Sequence, residues 1–351
     1  MSKLSDFYVA CQNGDLTTVE SLISSMSLKE INRLESNGST ALHAATSNGH
    51  TSIILLLLMK GVSRCIVDKH NKTPIDYTPT TDVKQLFDRS ITAMKERYIQ
   101  EDTPQIKWAS SRKHRDEVAC DNYCEYMRPS ALSEITRTVI DHIDTFIHSA
   151  GMNQIHYFIE KAIETKDTSY LLRAYTAEID FYRKLNFQLA ALGEDTWSRH
   201  MDDQSNKWAR IFAGQIAKDP TLDKYRWTGR CYRGMRMTAE ELHQYNLNSL
   251  NRPYSNLAFL STSKKRHVAE RFACIPSSGK LAAICTYDIT DRRVALDIHS
   301  ISEFPDEEEV LIIPNMVFKV LAIKDDNPIE IALQSLPLAN DFRDWDTDVA
   351  S

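Results

Sequence analysis

Three short segments carry side chains that suit chemistry on a charged, phosphate-bearing ligand. They are CYRG (231–234), FLSTS (259–263) and FPDEEEVLIIP (304–314), and each lies in or beside a strand-like apolar run. A guanidinium is planar, permanently charged and able to make paired hydrogen bonds to phosphate. A fixed carboxylate can stabilise positive charge that develops at a sugar carbon. In this order the segments predict a site for a dinucleotide and for charge stabilisation at one of its sugars.

Two acids of the third segment are expected to act together. Residues two apart on a strand share a face, about 6–7 Å apart in rise. Glu307 and Glu309 are therefore predicted to point the same way, and Glu308 to point away. Two carboxylates on one face repel each other unless a cation compensates them, which favours a cationic substrate. The segment from Glu303 to Glu309, with five acids and no base, agrees with such a substrate.

Composition places these segments in a chain of ordinary globular type. Its 351 residues suggest about two or three domains. The net charge of −6, with no basic run among aromatics, argues against nucleic acid as a partner. The seven cysteines show no framework spacing and are expected to be free thiols. Cys120 and Cys124, with His114 nearby, lack a second ligand pair, so no metal is predicted.

No segment of the sequence indicates a membrane location. The longest purely apolar stretch, Ile53 to Met59, is far shorter than the about 20 residues that a bilayer requires. The first residues lack the apolar region of a secretory signal. These features predict a cytoplasmic protein that has no membrane partner.

The first ninety residues contain an internal repeat. Thr40 recurs as Thr73, 33 residues later, and the Asn13-Gly14 pair recurs as Asn48-Gly49 at a spacing of 35. With the GSTALHAA segment, these periods resemble ankyrin repeats: a good middle copy, a fair first copy and a truncated third. Such arrays bind proteins through a concave face. So short an array can equally serve as a cap on the following domain, and both interpretations stay open.

The order of the three segments resembles the Arg…Ser-Thr-Ser…Glu-x-Glu pattern of the arginine-specific mono-ADP-ribosyltransferases, which bind NAD. The resemblance covers roughly residues 165–325. It implies an α+β fold, in which a helical subdomain leads into a mixed or antiparallel β-sandwich core behind the ankyrin repeats. It also implies that NAD is the co-substrate, with NADP as an alternative and no metal.

The expected organisation follows from the two resemblances together. A change from helical periodicity to strand-like runs falls between Pro220 and Gly229. The predicted parts are ankyrin repeats (1–90), a linker or helical connector (91–130), a transferase domain (131–340) with a helical part (131–225) and a β core (226–337), and a loose acidic tail (338–351).

The site residues take their expected roles from the resemblance. Arg233 is expected to contact the NAD diphosphate and ribose, and Gly234 to offer its backbone to the nicotinamide carboxamide. Ser261 is expected to orient the catalytic carboxylate of Glu309 by a hydrogen bond. Phe272 stands where the family has an aromatic that packs on nicotinamide, although plain burial in the core explains it equally well.

Glu307 and Glu309 are expected to act in different steps of the reaction. Glu309 is expected to stabilise the charge that builds on the ribose as nicotinamide leaves. Glu307 is expected to bind the acceptor guanidinium and remove its proton, because family members with an acid at this position use arginine acceptors. Phe304 and Pro305 lie on the loop that, by resemblance, touches the acceptor protein.

The resulting hypothesis is transfer of ADP-ribose from NAD to arginine side chains of a target protein, which the ankyrin repeats are candidates to select. Two alternatives stay open. With water as the acceptor, the chain is an NAD glycohydrolase. Without catalysis, it is an ankyrin scaffold with an inert transferase-like domain, although the intact pair of Glu307 and Glu309 argues against that.

Overall fold

The chain divides into two compact units, neither of which is one continuous stretch. The computed structural model describes residues 3–89, 106–108, 138–140, 151–177, 181–194, 207–248, 253–274 and 279–338. The first unit comprises Met1–Ser90, Ile143–Phe181 and Ser300–Asp306. The second unit comprises Ile91–His142, Tyr182–His299 and Glu307–Ser351. Residues far apart in sequence therefore build each unit.

Short helices in pairs form the N-terminal part of the first unit. They are α1 (Asp6–Asn13), α2 (Leu16–Ile23), α3 (Leu28–Ile31), α4 (Ala41–Ser47), α5 (Thr51–Met59), a 3₁₀-helix (Pro74–Tyr77) and α6 (Thr81–Gln85). Gly14 and Gly49 turn the chain between paired helices at φ of 77° and 69°, a region that glycine enters without strain. The helix pairs follow the spacing of the sequence repeat.

Thr40 and His43 cap α4, and the His43 ring also joins this repeat to the next. The Thr40 hydroxyl accepts from the His43 amide at 3.4 Å and caps α4. The His43 ring reaches the next repeat, where Nε2 lies 3.0 Å from the Lys72 carbonyl oxygen. Burial lowers the pKa of His43, so the ring is neutral near pH 7. Nε2 then carries the proton and donates to the carbonyl, while Nδ1 accepts from Thr40.

Two longer helices complete the regular structure described for the first unit. They are α7 (Met152–Thr165) and α8 (Ser169–Thr176). Helix α7 packs against α8 and α3, and burial of Ile155, Phe158 and Leu172 anchors it. Segment Ser300–Asp306, which precedes the two predicted catalytic acids in sequence, also belongs to this unit.

A mixed sheet forms the core of the second unit. Its strands are β1 (Ile106–Trp108), β2 (Arg226–Trp227), β3 (Gly229–Met237), β4 (Tyr254–Asn256), β5 (Leu260–Ser263), β6 (Leu281–Ile289), β7 (Ala295–Asp297), β8 (Glu309–Ile312), β9 (Val317–Lys324) and β10 (Ile329–Ser335). Their order is β1-β4-β9-β10-β6-β3-β5-β8-β7-β2. Strand β10 runs parallel to β6 and antiparallel to β9. The predicted α+β fold is confirmed.

Helices accompany the sheet of the second unit. They are α9 (Phe181–Glu194), α10 (Lys207–Lys218), a 3₁₀-helix (Pro220–Tyr225), α11 (Ala239–Asn248) and α12 (Arg266–Ala273). Phe181, the first residue of α9, is assigned to the first unit. Helix α12 follows β5 directly and packs on β3. This packing places α12 beside the strand that carries Arg233.

Strand β1 lies inside the stretch that the sequence predicted to be a connector. It pairs antiparallel with β4, with Trp108 opposite Tyr254. The Trp108 ring makes edge contacts with Tyr245 and Tyr254, each at 5.3 Å between centroids. A strand of three residues is too short to show a period in sequence, and its aromatic contacts, one of them cross-strand, stabilise it. The rest of 91–130 lies outside the described residues.

Removing the Thr40 hydroxyl should loosen α4. We expect Thr40→Ala to lose about 1 kcal/mol of local stability, because the helix cap disappears. Amide hydrogen exchange over residues 41–47, followed by mass spectrometry, measures this loss. Thr40→Ser keeps the hydroxyl and should exchange like the wild type. Equal exchange in all three proteins would contradict the role given to the cap.

Candidate active site

One cavity in the second unit brings the predicted site residues together. Its walls come from β3, β5, α12 and the turn that enters β8. The lining residues are Tyr232, Arg233, Gly234, Ser261, Thr262, Ser263, Val268, Ala269, Phe272, Glu307 and Glu309. All six residues chosen from the sequence are among them. Tyr232 and Val268 were not predicted, since nothing in their sequence context separates them from ordinary strand and helix residues.

Arg233 joins the two strands that form one wall of the cavity. It is buried on β3, and its Nη1 donates to the carbonyl oxygen of Ser261 at 2.8 Å. The pairing of Tyr232 with Ser263 holds β3 and β5 side by side at this point. A guanidinium stays charged when buried. Arg233 therefore places a fixed positive charge in a cavity that also contains two acids.

Gly234 lets α12 approach β3 closely. A Cβ atom built on Gly234 would lie 1.8 Å from the Ala269 carbonyl oxygen and 2.7 Å from the Ala273 nitrogen. Both atoms belong to the backbone, so neither can move aside alone. From the sequence we assigned this glycine to ligand approach, and the structure shows that packing of α12 also requires it. Phe272 on α12 is buried and lines the same cavity.

A hydrogen bond joins Ser261 to Glu309. The Ser261 hydroxyl donates to Oε1 of Glu309. Strands β5 and β8 pair with Ser263 opposite Glu309, so Ser261 is the diagonal neighbour of the acid on the same face. Ser261 is 4% exposed and Glu309 is 1% exposed. The bond that the sequence led us to expect is present, and it is shielded from water.

Glu307 and Glu309 stand on a turn at the start of β8 and not on one continuous strand. The prediction that they share a face because they alternate along a strand is therefore wrong. Glu307 ends a 3₁₀-helix (Pro305–Glu307), and β8 begins only at Glu309. Between them Glu308 has a φ of 43°, which is left-handed and unlike a strand. Pro305 has a φ fixed by its ring, which suits the first position of this helical turn. Glu307 and Glu309 nevertheless line the same cavity.

Strand β5 and the residue after it hold this turn. The Ser263 hydroxyl donates to the Glu307 carbonyl oxygen at 2.6 Å, and the Lys264 amide donates to the Glu308 carbonyl oxygen at 3.1 Å. Buried carbonyl groups need such partners. The hydroxyl-rich end of β5 therefore orients Glu309 through Ser261 and supports Glu307 through Ser263.

Three of the five acids between Glu303 and Glu309 make other contacts. Glu308 pairs with Lys265 at 2.9 Å, and the hydrogen bond from Lys265 lowers the pKa of Glu308. Asp306 pairs with Lys84 at 3.3 Å. Glu303 is fully buried within the first unit. Of these five acids, Glu307 and Glu309 line the cavity, where they could face a cationic substrate.

Phe304, on the loop that the resemblance assigns to acceptor contact, has a buried side chain. Its side chain is 2% exposed within the first unit. The guanidinium carbons of Arg64 and Arg89 lie 4.5 and 3.7 Å from the centroid of its ring. Both arginines come from the ankyrin region, more than 200 residues earlier in the chain. No local sequence pattern could have revealed this burial.

The described residues hold no group of three or more His, Cys, Asp or Glu side chains that could bind a metal ion. Cys120, Cys124 and His114 lie outside the described residues. In the part of the chain that the structure covers, no helix is long and apolar enough to cross a bilayer.

Two regions of this chain are similar to known proteins. The first is the N-terminal region. A family model described as ankyrin repeats (3 copies) matches residues 7–79. The NAD-capped RNA hydrolase NUDT12 of Homo sapiens is 38% identical over 74 residues, 21% of this chain and 16% of that protein. The tyrosine-protein kinase HTK16 of Hydra vulgaris is 33% identical over 69 residues, 19% of this chain and 9% of that one. The chain spans only a small part of these relatives.

Solved structures that match include several ADP-ribosyltransferases. The Vis toxin from Vibrio splendidus is 21% identical, with 61% of this chain and 91% of that chain covered and a TM-score of 0.37. HopU1 from Pseudomonas syringae is 14% identical, with 71% and 98% covered and a TM-score of 0.39. Exoenzyme S from Pseudomonas aeruginosa is 17% identical, with 63% and 100% covered and a TM-score of 0.38.

A second family model matches most of the chain. The model described as NAD:arginine ADP-ribosyltransferase matches residues 61–340, well over half of the chain, and includes every residue of the cavity. It begins inside the stretch matched by the ankyrin repeats. The predicted ankyrin repeats and the predicted transferase resemblance are both confirmed. This chain belongs to the NAD:arginine ADP-ribosyltransferase family and carries ankyrin repeats in its N-terminal part.

Proposed function

We propose that this chain transfers ADP-ribose from NAD to arginine side chains of a target protein and releases nicotinamide. The observation that carries the proposal is the buried hydrogen bond from Ser261 to Glu309. It lies in a cavity that also contains Arg233 and Glu307. These four side chains supply a cationic contact for phosphate, an oriented carboxylate and a second acid for the acceptor.

Cleavage of NAD is the step assigned to Glu309. The nicotinamide ring is a positively charged pyridinium in NAD and leaves as a neutral pyridine, taking the electron pair of its bond to C1 of the ribose. Positive charge then builds on the sugar, and a carboxylate fixed nearby stabilises it. Because Ser261 holds Glu309 in place before the reaction, little reorganisation is needed. Preorganised groups of this kind contribute about 3–4 kcal/mol each.

Arg233 is assigned to the diphosphate of NAD. Its guanidinium can make paired hydrogen bonds to phosphate oxygens. The charge also compensates Glu307 and Glu309, which would otherwise repel each other in a buried cavity. One buried cation therefore supports the binding of the anionic part of NAD and offsets the charge of the two acids.

Attack by arginine is the step assigned to Glu307. A guanidinium stays protonated at neutral pH, since its pKa exceeds about 12. The acceptor therefore needs a group that binds it, aligns one nitrogen with C1 and takes a proton as the new C–N bond forms. Glu307 shares the cavity with Glu309, so a guanidinium held by Glu307 lies near the ribose that Glu309 stabilises. General acid–base catalysis contributes typically about 10²–10⁴-fold.

Replacing the Glu309 carboxylate should strongly slow both the transfer of ADP-ribose from NAD and the hydrolysis of NAD. We expect Glu309→Gln to lower nicotinamide release at least about 100-fold, with or without the arginine mimic agmatine, because the stabilising charge is gone. Chromatography of released nicotinamide measures it. Glu308→Gln is the matched control, since Glu308 is a neighbouring acid that pairs with Lys265 instead. Equal rates for the wild type and Glu309→Gln would refute the proposed role.

Replacing the Glu307 carboxylate should separate transfer from hydrolysis. We expect Glu307→Gln to lose about 100-fold in transfer to agmatine and to stay within about threefold in NAD hydrolysis. Water is neutral and can release its proton to solvent after it has attacked, whereas a guanidinium must lose a proton as it attacks. Labelled ADP-ribosyl-agmatine and nicotinamide, measured in the same reaction, give both rates. Parallel loss of both would assign Glu307 to NAD cleavage, and a wild type that agmatine does not accelerate would favour the glycohydrolase.

A further inference from the structure

An ion pair between Lys264 and Asp297 lies beside the start of β8, within the second unit. Nζ of Lys264 donates to Oδ2 of Asp297 at 2.9 Å. The two side chains are 25% and 22% exposed, so both are largely removed from water. The His299 ring adds a hydrogen bond between its Nδ1 and Oδ1 of Asp297, at 2.8 Å. Because a carboxylate only accepts, Nδ1 carries the proton of this bond.

The two hydrogen bonds keep the Asp297 carboxylate charged. Burial alone would raise the pKa of Asp297, but the bonds from Lys264 and His299 outweigh burial and lower it. Asp297 is therefore ionised at neutral pH. Removing Lys264 would leave a shielded negative charge without its cation, which is more destabilising than the loss of an exposed pair.

The ion pair connects the two strands that flank β8. Strand β5 lies on one side of β8 and β7 on the other. Lys264 follows the last residue of β5, and Asp297 is the last residue of β7. Neighbouring strands are about 4.8 Å apart, so these two are separated by about 10 Å. The long side chain of Lys264 covers most of that separation, and the pair bridges β8 where that strand begins.

Main-chain hydrogen bonds at the same places hold the peptide groups around Glu309. On the β5 side, the Lys264 amide donates to the Glu308 carbonyl oxygen at 3.1 Å. On the β7 side, the amide of Ile298 donates to the Glu309 carbonyl oxygen at 3.0 Å. Ile298 follows Asp297 directly in the chain. The two residues that bind these successive carbonyl groups are thus tied to each other through the ion pair.

The backbone at this point depends on such contacts. Glu308 has a φ of 43°, and a left-handed φ persists in a residue other than glycine only where its surroundings impose it. The φ of Glu308 sets the direction in which the chain enters Glu309. A looser entry into β8 would let Glu308 take an ordinary φ and would turn the Glu309 carboxylate away from Ser261.

We propose that Lys264 and Asp297 are positioning residues, which clamp the start of β8 and so hold the Glu309 carboxylate in the direction that cleavage of NAD requires. This inference rests on the proposed function. Neither side chain is among those that line the cavity. The pair acts through the backbone of Glu308 and Glu309, whereas Ser261 acts on the Glu309 carboxylate itself.

The single-turnover rate of nicotinamide release, without an acceptor, tests the proposal. We expect Lys264→Met to lower this rate about tenfold, with affinity for NAD unchanged, because small misplacements of a reacting group are costly. Methionine keeps the apolar stem of the side chain and removes its charge. Lys264→Arg keeps the charge and should recover most of the wild-type rate. Equal losses in both variants, or a wild-type rate in Lys264→Met, would overturn the proposal.

The rate constant also distinguishes positioning from a merely structural role. With the enzyme at saturating concentration over NAD, the single-turnover rate constant does not depend on the fraction of protein that is folded. A residue that only stabilises the fold would therefore leave it unchanged, even where the yield of active protein falls.

Asp297→Ala tests the other member of the pair. We expect a loss similar to that of Lys264→Met. The double variant should lose no more than either single variant, because both changes remove the same contact and the double variant leaves neither charge without its partner. A double variant whose loss equals the product of the two single losses would show that the residues act independently, and would overturn the proposal.

Asp291→Ala is the matched control. Asp291 is also an aspartate of the second unit with little exposed side chain, and it accepts from the Arg293 guanidinium at 2.6 Å and the Leu338 amide at 3.3 Å. Its contacts lie before β7 in the chain and not at the start of β8. We expect Asp291→Ala to lower the melting temperature and to keep the wild-type rate constant. A loss of rate as large as that of Asp297→Ala would overturn the proposal.

Hydrogen exchange separates this inference from the proposed function. The amides of Glu309–Ile312 should exchange faster in Lys264→Met than in Asp291→Ala, whether or not the protein uses NAD. Unchanged exchange there would refute the clamp even in an active enzyme. A wild type that releases no nicotinamide would instead refute the proposed function, and the exchange data alone would then decide whether the ion pair holds β8.

Discussion

The site depends on keeping the Glu309 carboxylate buried and fixed in direction. A carboxylate removed from water is destabilising unless hydrogen bonds and a cation replace its hydration. Ser261 supplies the hydrogen bond, and Arg233 places a charge in the same cavity. The pairing of β5 with β8 and of β3 with β5 sets both contacts. The order β3-β5-β8 within the sheet therefore brings these three side chains together.

Glu303 repeats the same physical arrangement six residues earlier in the chain. It too is buried, and a hydroxyl, a thiol and a backbone amide bind it. The two buried glutamates stand before and after Glu307 in the sequence, each within its own unit. Since burying each acid requires directional partners, hydrogen bonds define the place of each carboxylate within its unit. Such bonds fix positions more narrowly than apolar contacts do.

The sequence was sufficient for the parts that depend on residue type and order. Arg233, Ser261 and Glu309 stand on successive strand-like runs, and the repeat period identified the ankyrin region. The strand alternation assumed for Glu307 failed, because Pro305 begins a helical turn and Glu308 takes a left-handed φ. The burial of Phe304 was not predicted either. Its partners, Arg64 and Arg89, come from the other end of the sequence, and no local pattern records such contacts.

The measurement that tests the central claim most directly is the single-turnover rate of nicotinamide release in Ser261→Ala. The variant keeps the Glu309 carboxylate and removes only the hydroxyl that orients it. We predict a rate about tenfold to 100-fold lower, as expected for loss of a hydrogen bond to a charged group, with affinity for NAD unchanged and with Ser261→Thr retaining more activity. A Ser261→Ala protein that releases nicotinamide at the wild-type rate would show that a prefixed carboxylate is not what drives this site.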